Sequence, residues 1–137
     1  MPHPPPYLLE KAVSGGGEQA QVLGRWGEAL VAADLRKRGW AIAAVNFRCR
    51  MGELDIVAQN GRYLVFVEVK LRKNDRFGAA CEAVTASKQR KLRAAAEYYL
   101  MCHPTNKLQP RFDVAEVYAP QGIHTARPEI SYIENAF

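Results

Sequence analysis

The chain has 137 residues, of which 48% are apolar, and this is enough to form the core of one domain without disulfides or structural metal ions. The formal net charge is +5, but the segment from Arg36 to Arg93 holds 14 Lys and Arg against 5 Asp and Glu, a concentration of positive charge that favours a nucleic-acid partner. The three cysteines lack zinc-ligand spacing and no apolar run could span a membrane, so a zinc site, a disulfide framework and a membrane protein are excluded and a cytoplasmic location is expected.

Residues 1–17 are rich in proline and glycine, so we expect a disordered tail followed by one domain over residues 18–137. From about Glu18 to Arg38 the apolar residues recur with helical periodicity on two stripes. The first stripe contains Leu23, Trp26, Leu30 and Ala33, and the second contains Gly24, Val31 and Leu35. Apolar cover on two sides predicts a deeply packed helix.

Three residues are unusual in such a helix. Gly24 and Gly27 each weaken a helix by about 1 kcal/mol relative to alanine, so we expect another backbone to approach them closely. Glu28 lies beside the second stripe, where a charge is awkward. It is either a partly exposed helical glutamate or an acidic group directed at a functional site, and the sequence leaves both interpretations open.

The next segments have the pattern of strands. Trp40–Arg48 predicts one strand, and Gly52–Lys70 predicts two apolar strands joined by Asn60-Gly61. Asn-Gly is the preferred dipeptide of a two-residue type I′ loop. A loop of this length fixes the register of the hairpin, so the residues that face each other can be counted from it.

Acidic side chains from both hairpin strands then share one face. The count places Asp55 opposite Phe66 and Glu53 opposite Glu68, and alternate residues of a strand return to the same face. Glu53, Asp55, Glu68 and Lys70 should therefore project from the same side. Asp55 and Glu68 would be diagonal neighbours about 7–8 Å apart, close enough to share one cation.

Carboxylates on an apolar surface require a compensating cation or several hydrogen bonds. A divalent ion with oxygen ligands would supply the positive charge, and Lys70 would supply part of it. A lone Glu68–Lys70 pair is usually an exposed pair on a solvated strand face. The opposed Asp55 and the apolar Leu64 and Phe66 on the same face favour a functional site instead.

A basic loop and a second helix follow the hairpin. The loop from Leu71 to Gly78 is either a nucleic-acid contact or simply solvated. The helix is predicted from about Thr85, its N-cap, to Cys102, with Pro104 closing it. Its inward stripe consists of Leu92, Ala95, Ala96 and Tyr99. Lys88 lies on this line one turn earlier, so we expect it to point toward the carboxylates or a phosphate.

The rest of the chain predicts two more strands, Pro110–Tyr118 and about Ile130–Ile133. Asp113 in the first of these should have a structural partner, such as an arginine, rather than a catalytic role. The order helix, three strands, helix, two strands predicts an α/β domain whose mixed central sheet of about five strands is flanked by helices.

The motifs resemble those of a known group of proteins. Asp55 followed by Glu68-Val69-Lys70 looks like the D…(E/D)-x-K core of restriction-endonuclease-like nucleases. The YraN-like bacterial family is a closer resemblance, over about Gly24 to Tyr118, and it depends on the segments G-R-W-G-E-A-L, N-F-R-C-R-M-G-E-L-D, L-V-F-V-E-V-K-L-R, F-G-A-A-C-E-A-V-T-A-S-K and R-F-D-V. That family is similar in fold to archaeal Holliday-junction resolvases, so the resemblance implies a restriction-endonuclease-like fold. One difference is Leu54, where the wider superfamily often has proline.

The resemblance also implies an activity. It indicates a metal-dependent nuclease that hydrolyses DNA phosphodiester bonds, with branched or structured DNA among its substrates and a homodimer as one arrangement. Asp55, Glu68 and the backbone carbonyl of Val69 would hold Mg²⁺ or Mn²⁺. Lys70 would orient the attacking water or neutralise charge on the phosphoryl oxygens.

Further residues receive roles from the same resemblance. Glu28 and Lys88 would join the catalytic group, Glu28 by completing the acidic cluster and Lys88 by contacting a phosphate. Glu53 would support the metal ligands without binding the ion. The residues expected to contact nucleic acid are Arg48, Arg50, Arg72, Lys73, Arg76 and Lys88.

Two other functions fit the same sequence. A nucleic-acid-binding module with this fold and no turnover would bind DNA in a salt-dependent manner without its carboxylates. A structural or protein-interaction domain would satisfy those carboxylates with Lys70 and Lys88 alone. Binding of a divalent ion would exclude the second of these alternatives.

Overall fold

The computed structural model describes residues 17–74, 84–104 and 107–137. Its elements in chain order are helix α1 (Gly17–Lys37), strands β1 (Ala41–Cys49), β2 (Gly52–Asn60) and β3 (Tyr63–Arg72), helix α2 (Ala86–Cys102), strand β4 (Gln109–Tyr118), a 3-10 turn (Gly122–His124) and strand β5 (Glu129–Ile133). The predicted order of helix, three strands, helix and two strands is confirmed. The predicted tail lies outside the described residues except for Gly17, which begins α1.

The five strands form one mixed sheet in the order β1-β2-β3-β4-β5. Strands β3 and β4 are parallel, and the other neighbours are antiparallel. Adjacent parallel strands require a crossover, and helix α2 lies in that connection. The mixed sheet flanked by helices confirms the predicted α/β architecture and is consistent with a restriction-endonuclease-like fold.

Each face of the sheet carries its own hydrophobic core. On one face α1 contributes Val31, Ala32 and Leu35, which pack against alternate residues of β2, β3 and β4. On the other face α2 contributes Leu92, Ala95, Ala96 and Tyr99, which pack against strand residues that include Leu54, Val57, Leu64 and Phe66. The sheet is therefore buried on both sides, which explains the nearly continuous apolar sequence of its central strands.

Helix α2 is the element that the sequence predicts best. Thr85 is its N-cap, and the hydroxyl oxygen of Thr85 accepts a hydrogen bond of 3.2 Å from the backbone N–H of Lys88. Its buried residues are the four of the predicted stripe. At the other end, the His103 N–H donates to the carbonyl of Tyr99, and Pro104 follows. The polar cap and the apolar stripe agree, which is why the sequence determines this helix so well.

Helix α1 packs differently from the first predicted stripe. Ala33 of that stripe is exposed, whereas Val31 and Leu35 of the second stripe are almost fully buried. A Cβ at Gly27 would lie 3.0 Å from the Cδ1 atom of Leu71, so a side chain, rather than a backbone as predicted, approaches this glycine. A Cβ at Gly24 would meet no atom of the described residues within 4 Å, and the expected close approach is absent there.

Two predictions about the edges of the sheet also have outcomes. Asp113 is held by Arg111 through two hydrogen bonds of 2.9 Å, which confirms a structural arginine partner. The predicted loop at Leu71 is wrong at its start, because Leu71 and Arg72 continue β3 beside β4. Among the described residues, no helix is long and apolar enough to cross a membrane.

Candidate active site

The hairpin that carries the acidic residues has a different loop from the predicted one. Its two loop residues are Gly61 and Arg62, and Asn60 pairs with Tyr63. Gly61 has a φ of 58°, and a glycine in the first loop position is typical of a type II′ turn rather than type I′. The predicted Asn60-Gly61 loop is therefore wrong, because either dipeptide containing Gly61 can form a two-residue loop.

This change moves each residue to a partner two positions further along. The ladder between β2 and β3 ends at Ile56 opposite Val67, so the next residue, Asp55, faces Glu68 and not Phe66. A shift of two residues preserves the face of each side chain where a strand alternates regularly. The alternation of β2 is interrupted at Asp55, because Leu54 and Ile56 pack in the cores on opposite faces of the sheet. The two carboxylates nevertheless share a side as predicted, as direct neighbours instead of diagonal ones.

At Asp55 the side chain, and not the backbone carbonyl, accepts the hydrogen bond from β3. Its Oδ2 atom accepts a hydrogen bond of 2.9 Å from the backbone N–H of Val69. The carboxyl groups of Asp55 and Glu68 also lie close enough to form a hydrogen bond when one of them carries a proton. Val69 thus contributes its N–H group here, whereas its carbonyl was the predicted ligand.

Two more carboxylates complete an acidic cluster, defined here as Glu28, Glu53, Asp55 and Glu68. Oxygen atoms of Glu28, Glu53 and Asp55 lie within 4.8 Å of one another. Glu28 comes from α1 and is only 9% exposed, which favours the interpretation that it belongs to a site. Glu53 was expected to support the ligands from outside, but its carboxylate lies in the same group of three as those of Glu28 and Asp55.

Glu28 has a partner that the sequence did not reveal. Asn46 of β1 hydrogen-bonds to the Glu28 side chain, and Asn46 has a φ of 57°, which is unusual in a strand. The other feature of Glu28 is its Oε1 atom, which is buried and has no hydrogen-bond partner among the described residues. A buried carboxylate oxygen without a partner is costly unless a proton or a cation compensates it.

The electrostatics of the cluster favour bound protons when no cation is present. Burial, and then the charge of Asp55, raises the pKa of Glu28 from 4.5 to about 8. The same two causes raise the pKa of Glu68 to about 8, against the opposing effect of Lys70. Burial also raises the pKa of Asp55, although the Val69 N–H favours its charged form.

Two lysines border the acidic cluster. The Nζ atom of Lys70 lies 3.9 Å from Oε1 of Glu68. Lys88 extends from the first turn of α2 to the same place, where it interacts with both Lys70 and Glu68, as its position on the helix predicted. Burial, and then the proximity of Lys88, lowers the pKa of Lys70. Two adjacent ammonium groups of this kind suit an anionic ligand such as a phosphate.

A cavity of about 440 Å³ opens beside the cluster on the side of α2. Its walls carry Glu53, Asp55 and Glu68 together with Lys88 and Lys91. Lys91 is exposed and lies off the inward stripe of the helix, so the stripe gives no signal that it lines this cavity. The structure brings it to the cavity through Gly52, whose Cα faces the carbonyl of Lys91, where a Cβ would lie at 3.6 Å. The cavity therefore has an acidic and a basic wall.

The remaining candidates for nucleic-acid contact are in different environments. Arg48 pairs with Glu53 at 3.4 Å, and so lies at the cluster. Arg72 lies 3.4 Å from the fully buried Glu116 and is 12% exposed, so its guanidinium is directed into the protein and away from a surface ligand. Arg50 and Lys73 are exposed, and Arg76 lies outside the described residues.

These positions define what the site can do chemically. An all-oxygen donor set with a partnerless buried oxygen suits a hard divalent cation. Neighbouring ammonium groups suit the negative charge of a phosphate ester. The two properties occur within one cavity, so a cation and a phosphate could be held side by side.

The part of the chain that matches a known protein family includes every residue of the acidic cluster and its two lysines. A profile described as Uncharacterised protein family UPF0102 matches residues 27–117. A UPF0102 protein of Caldicellulosiruptor saccharolyticus is 43% identical over 115 residues, which are 84% of this chain and 96% of the relative. A UPF0102 protein of Syntrophotalea carbinolica is 50% identical over 95 residues, 69% of this chain and 77% of the relative. One of Geotalea daltonii is 43% identical over 122 residues, 89% and 94% of the respective chains.

Proposed function

The chain belongs to the UPF0102 family, which agrees with the YraN-like resemblance of its motifs, and we propose that it is a metal-dependent nuclease that hydrolyses DNA phosphodiester bonds. Branched or structured DNA is among the substrates we propose. The observation that carries the proposal is a cavity in the most basic part of the chain whose lining combines three carboxylates, Glu53, Asp55 and Glu68, with Lys88 and Lys91. A fourth carboxylate, Glu28, has an oxygen within 4.8 Å of those of Glu53 and Asp55.

The acidic cluster fits Mg²⁺ or Mn²⁺. Its donors are carboxylate oxygens, which these hard cations prefer, and Oε1 of Glu28 is a buried oxygen that lacks a partner among the described residues. Protons occupy the cluster at the raised pKa values of Glu28 and Glu68, and a divalent cation would displace them. Asp55 and Glu68 would hold the ion, with Glu28 and Glu53 close enough to Asp55 to contribute oxygens. When bound, the ion would polarise the phosphoryl group and lower the pKa of a coordinated water.

The lysines would act on the substrate. Lys70 lies between Glu68 and Lys88, where its ammonium group would orient the attacking water or stabilise charge on the phosphoryl oxygens. Lys88 and Lys91, which line the same cavity as the carboxylates, would bind the phosphate and hold it beside the cluster.

A DNA-cleavage assay tests the proposal. Labelled linear, forked and four-way DNA would be incubated with the protein and Mg²⁺ or Mn²⁺, and with EDTA as the metal-free control. We expect cleavage of at least one form, lost in EDTA and reduced about 100-fold or more in Asp55→Asn and Lys70→Met. Glu97→Gln removes an exposed carboxylate from α2 and should leave cleavage unchanged.

The competing function is a nucleic-acid-binding module of the same fold without turnover. Its support is the basic cavity wall, since Lys88 and Lys91 could bind a phosphate whether or not an ion is present. The two functions differ in their dependence on the carboxylates. Salt-dependent DNA binding that survives Asp55→Asn, with no cleavage of any DNA by the wild type, would reject the nuclease in favour of this alternative.

A further inference from the structure

A second cavity opens from the acidic cluster on the side of α1. It has a volume of about 140 Å³, and its lining includes Gly24, Arg25, Glu28, Arg48 and Glu53. Glu53 also lines the larger cavity, so the two spaces lie on either side of one carboxylate. A water molecule occupies about 30 Å³, so this space could hold several waters or one phosphate group.

Gly24 has no packing function among the described residues. A Cβ at this position would meet none of their atoms within 4 Å, although glycine weakens a helix relative to alanine. Gly27, one turn later, differs because Leu71 occupies the space next to it. A glycine that lines a cavity without contacting the protein is suited to a ligand that comes close to the helix backbone.

Two of the four charged groups around this cavity are suited to an anion, and the other two are Glu28 and Glu53 of the acidic cluster. Arg25 and Arg48 both line it, and guanidinium groups bind phosphate oxygens in a bidentate manner. Arg48 lies 3.4 Å from Glu53, which belongs to the acidic cluster.

We propose that this cavity is a second binding site for the nucleic-acid backbone. It binds the phosphate next to the one held at the acidic cluster. This inference depends on the proposed function and extends it to the path of the substrate strand. In this arrangement the nucleic-acid strand passes Glu53. One phosphate lies beside Lys88 and Lys91, and the adjacent phosphate lies beside Arg25 and Arg48. Gly24 leaves room for the sugar-phosphate chain against α1.

DNA binding by two variants tests the proposal. Gly24→Gln fills the cavity, and Arg25→Gln removes a charge from its wall, while Arg36→Gln removes a charge from the exposed end of the same helix as a matched control. Affinity for labelled single-stranded and duplex DNA would be measured by fluorescence anisotropy in EDTA and in Mg²⁺. A Lys70→Met background would limit cleavage. Thermal unfolding of each variant would be recorded alongside.

We expect Arg25→Gln to weaken DNA binding by about tenfold, the effect of losing one charged hydrogen bond. Gly24→Gln should weaken binding by a similar factor, because its side chain occupies the space proposed for the strand. Arg25→Gln should also reduce the slope of log K against log salt concentration by about 1, and Arg36→Gln should change neither quantity as much. Gly24→Gln should unfold at the same or a higher temperature than its parent, because a better helix former replaces glycine. A merely structural role of Gly24 would not combine greater stability with weaker binding.

Two results would overturn the proposal separately from the nuclease function. If the wild type cleaves DNA while both cavity variants bind DNA as tightly as Arg36→Gln, the proposal of a second phosphate-binding site is wrong and the proposed nuclease function is retained. If the wild type neither binds nor cleaves DNA, both the second phosphate-binding site and the proposed function are wrong.

Discussion

Without a bound cation, the free energy of unfolding should fall as the pH rises through the range set by Glu68. This side chain is only 9% exposed, and burial followed by the charge of Asp55 raises its pKa from 4.5 to about 8. Between these values the folded protein keeps a proton that the unfolded chain releases, so a higher pH favours unfolding. The stabilisation by this proton is complete below pH 4.5 and is lost as the pH passes about 8.

The size of the effect follows from the same pKa values. Counting Glu68 alone, on the order of 5 kcal/mol of unfolding free energy is lost between its two pKa values. This is comparable with the total stability of a small domain, so the metal-free protein should be weakly folded above about pH 8. Glu68→Gln keeps the size of the side chain but cannot ionise, and should remove this contribution. Mg²⁺ or Mn²⁺ should have a similar effect on the wild type, because the ion replaces the proton.

The assay is urea unfolding followed by circular dichroism at several pH values between about 5 and 9. The wild type, Glu68→Gln and the control Glu97→Gln would be compared in EDTA and in Mg²⁺. We expect a falling stability for the wild type and the control in EDTA, and a weaker dependence for Glu68→Gln. Equal pH dependence in all three proteins, or no effect of Mg²⁺ at high pH, would refute the reasoning.

Other predictions concern residues around the site. Arg72→Met should lower the free energy of unfolding by about 3–5 kcal/mol in urea titrations, because it leaves the fully buried Glu116 without this arginine; an unchanged stability would contradict this. Asn46→Gly keeps the positive φ but removes the amide that bonds Glu28, so calorimetry should show weaker binding of Mn²⁺ in a protein that unfolds at a similar temperature. Lys91→Gln should weaken DNA binding and reduce its salt slope by about 1, and an unchanged slope would remove Lys91 from the substrate wall.

The hairpin of β2 and β3 shows what could and what could not be predicted from the sequence. A two-residue loop containing Gly61 was predicted, and strand alternation placed Asp55 and Glu68 on one side of the hairpin. The sequence did not distinguish the Asn60-Gly61 loop from Gly61-Arg62, since both place the glycine where a positive φ is needed. The side of the sheet was therefore predicted correctly, and the distance between Asp55 and Glu68 was not.

Contacts between elements distant in sequence were harder to predict. Lys88 was found because an inward-facing lysine breaks the apolar stripe of α2, whereas Lys91 carries no such signal. Asn46 lies in the mostly apolar strand β1, and nothing in the sequence links it to Glu28 of α1. The burial of Arg72 depends on Glu116 in β4, which is remote in sequence, so composition suggested a surface contact instead.

The claim on which the other proposals depend is that the acidic cluster holds a divalent cation. Crystals of the wild type and of Asp55→Asn, soaked in Mn²⁺ and measured near the manganese absorption edge, would test it most directly. We expect an anomalous peak in contact with the carboxylates of Asp55 and Glu68 in the wild type, and its loss in the variant. A wild-type crystal with no peak at these carboxylates, or a peak unaffected by Asp55→Asn, would contradict the account.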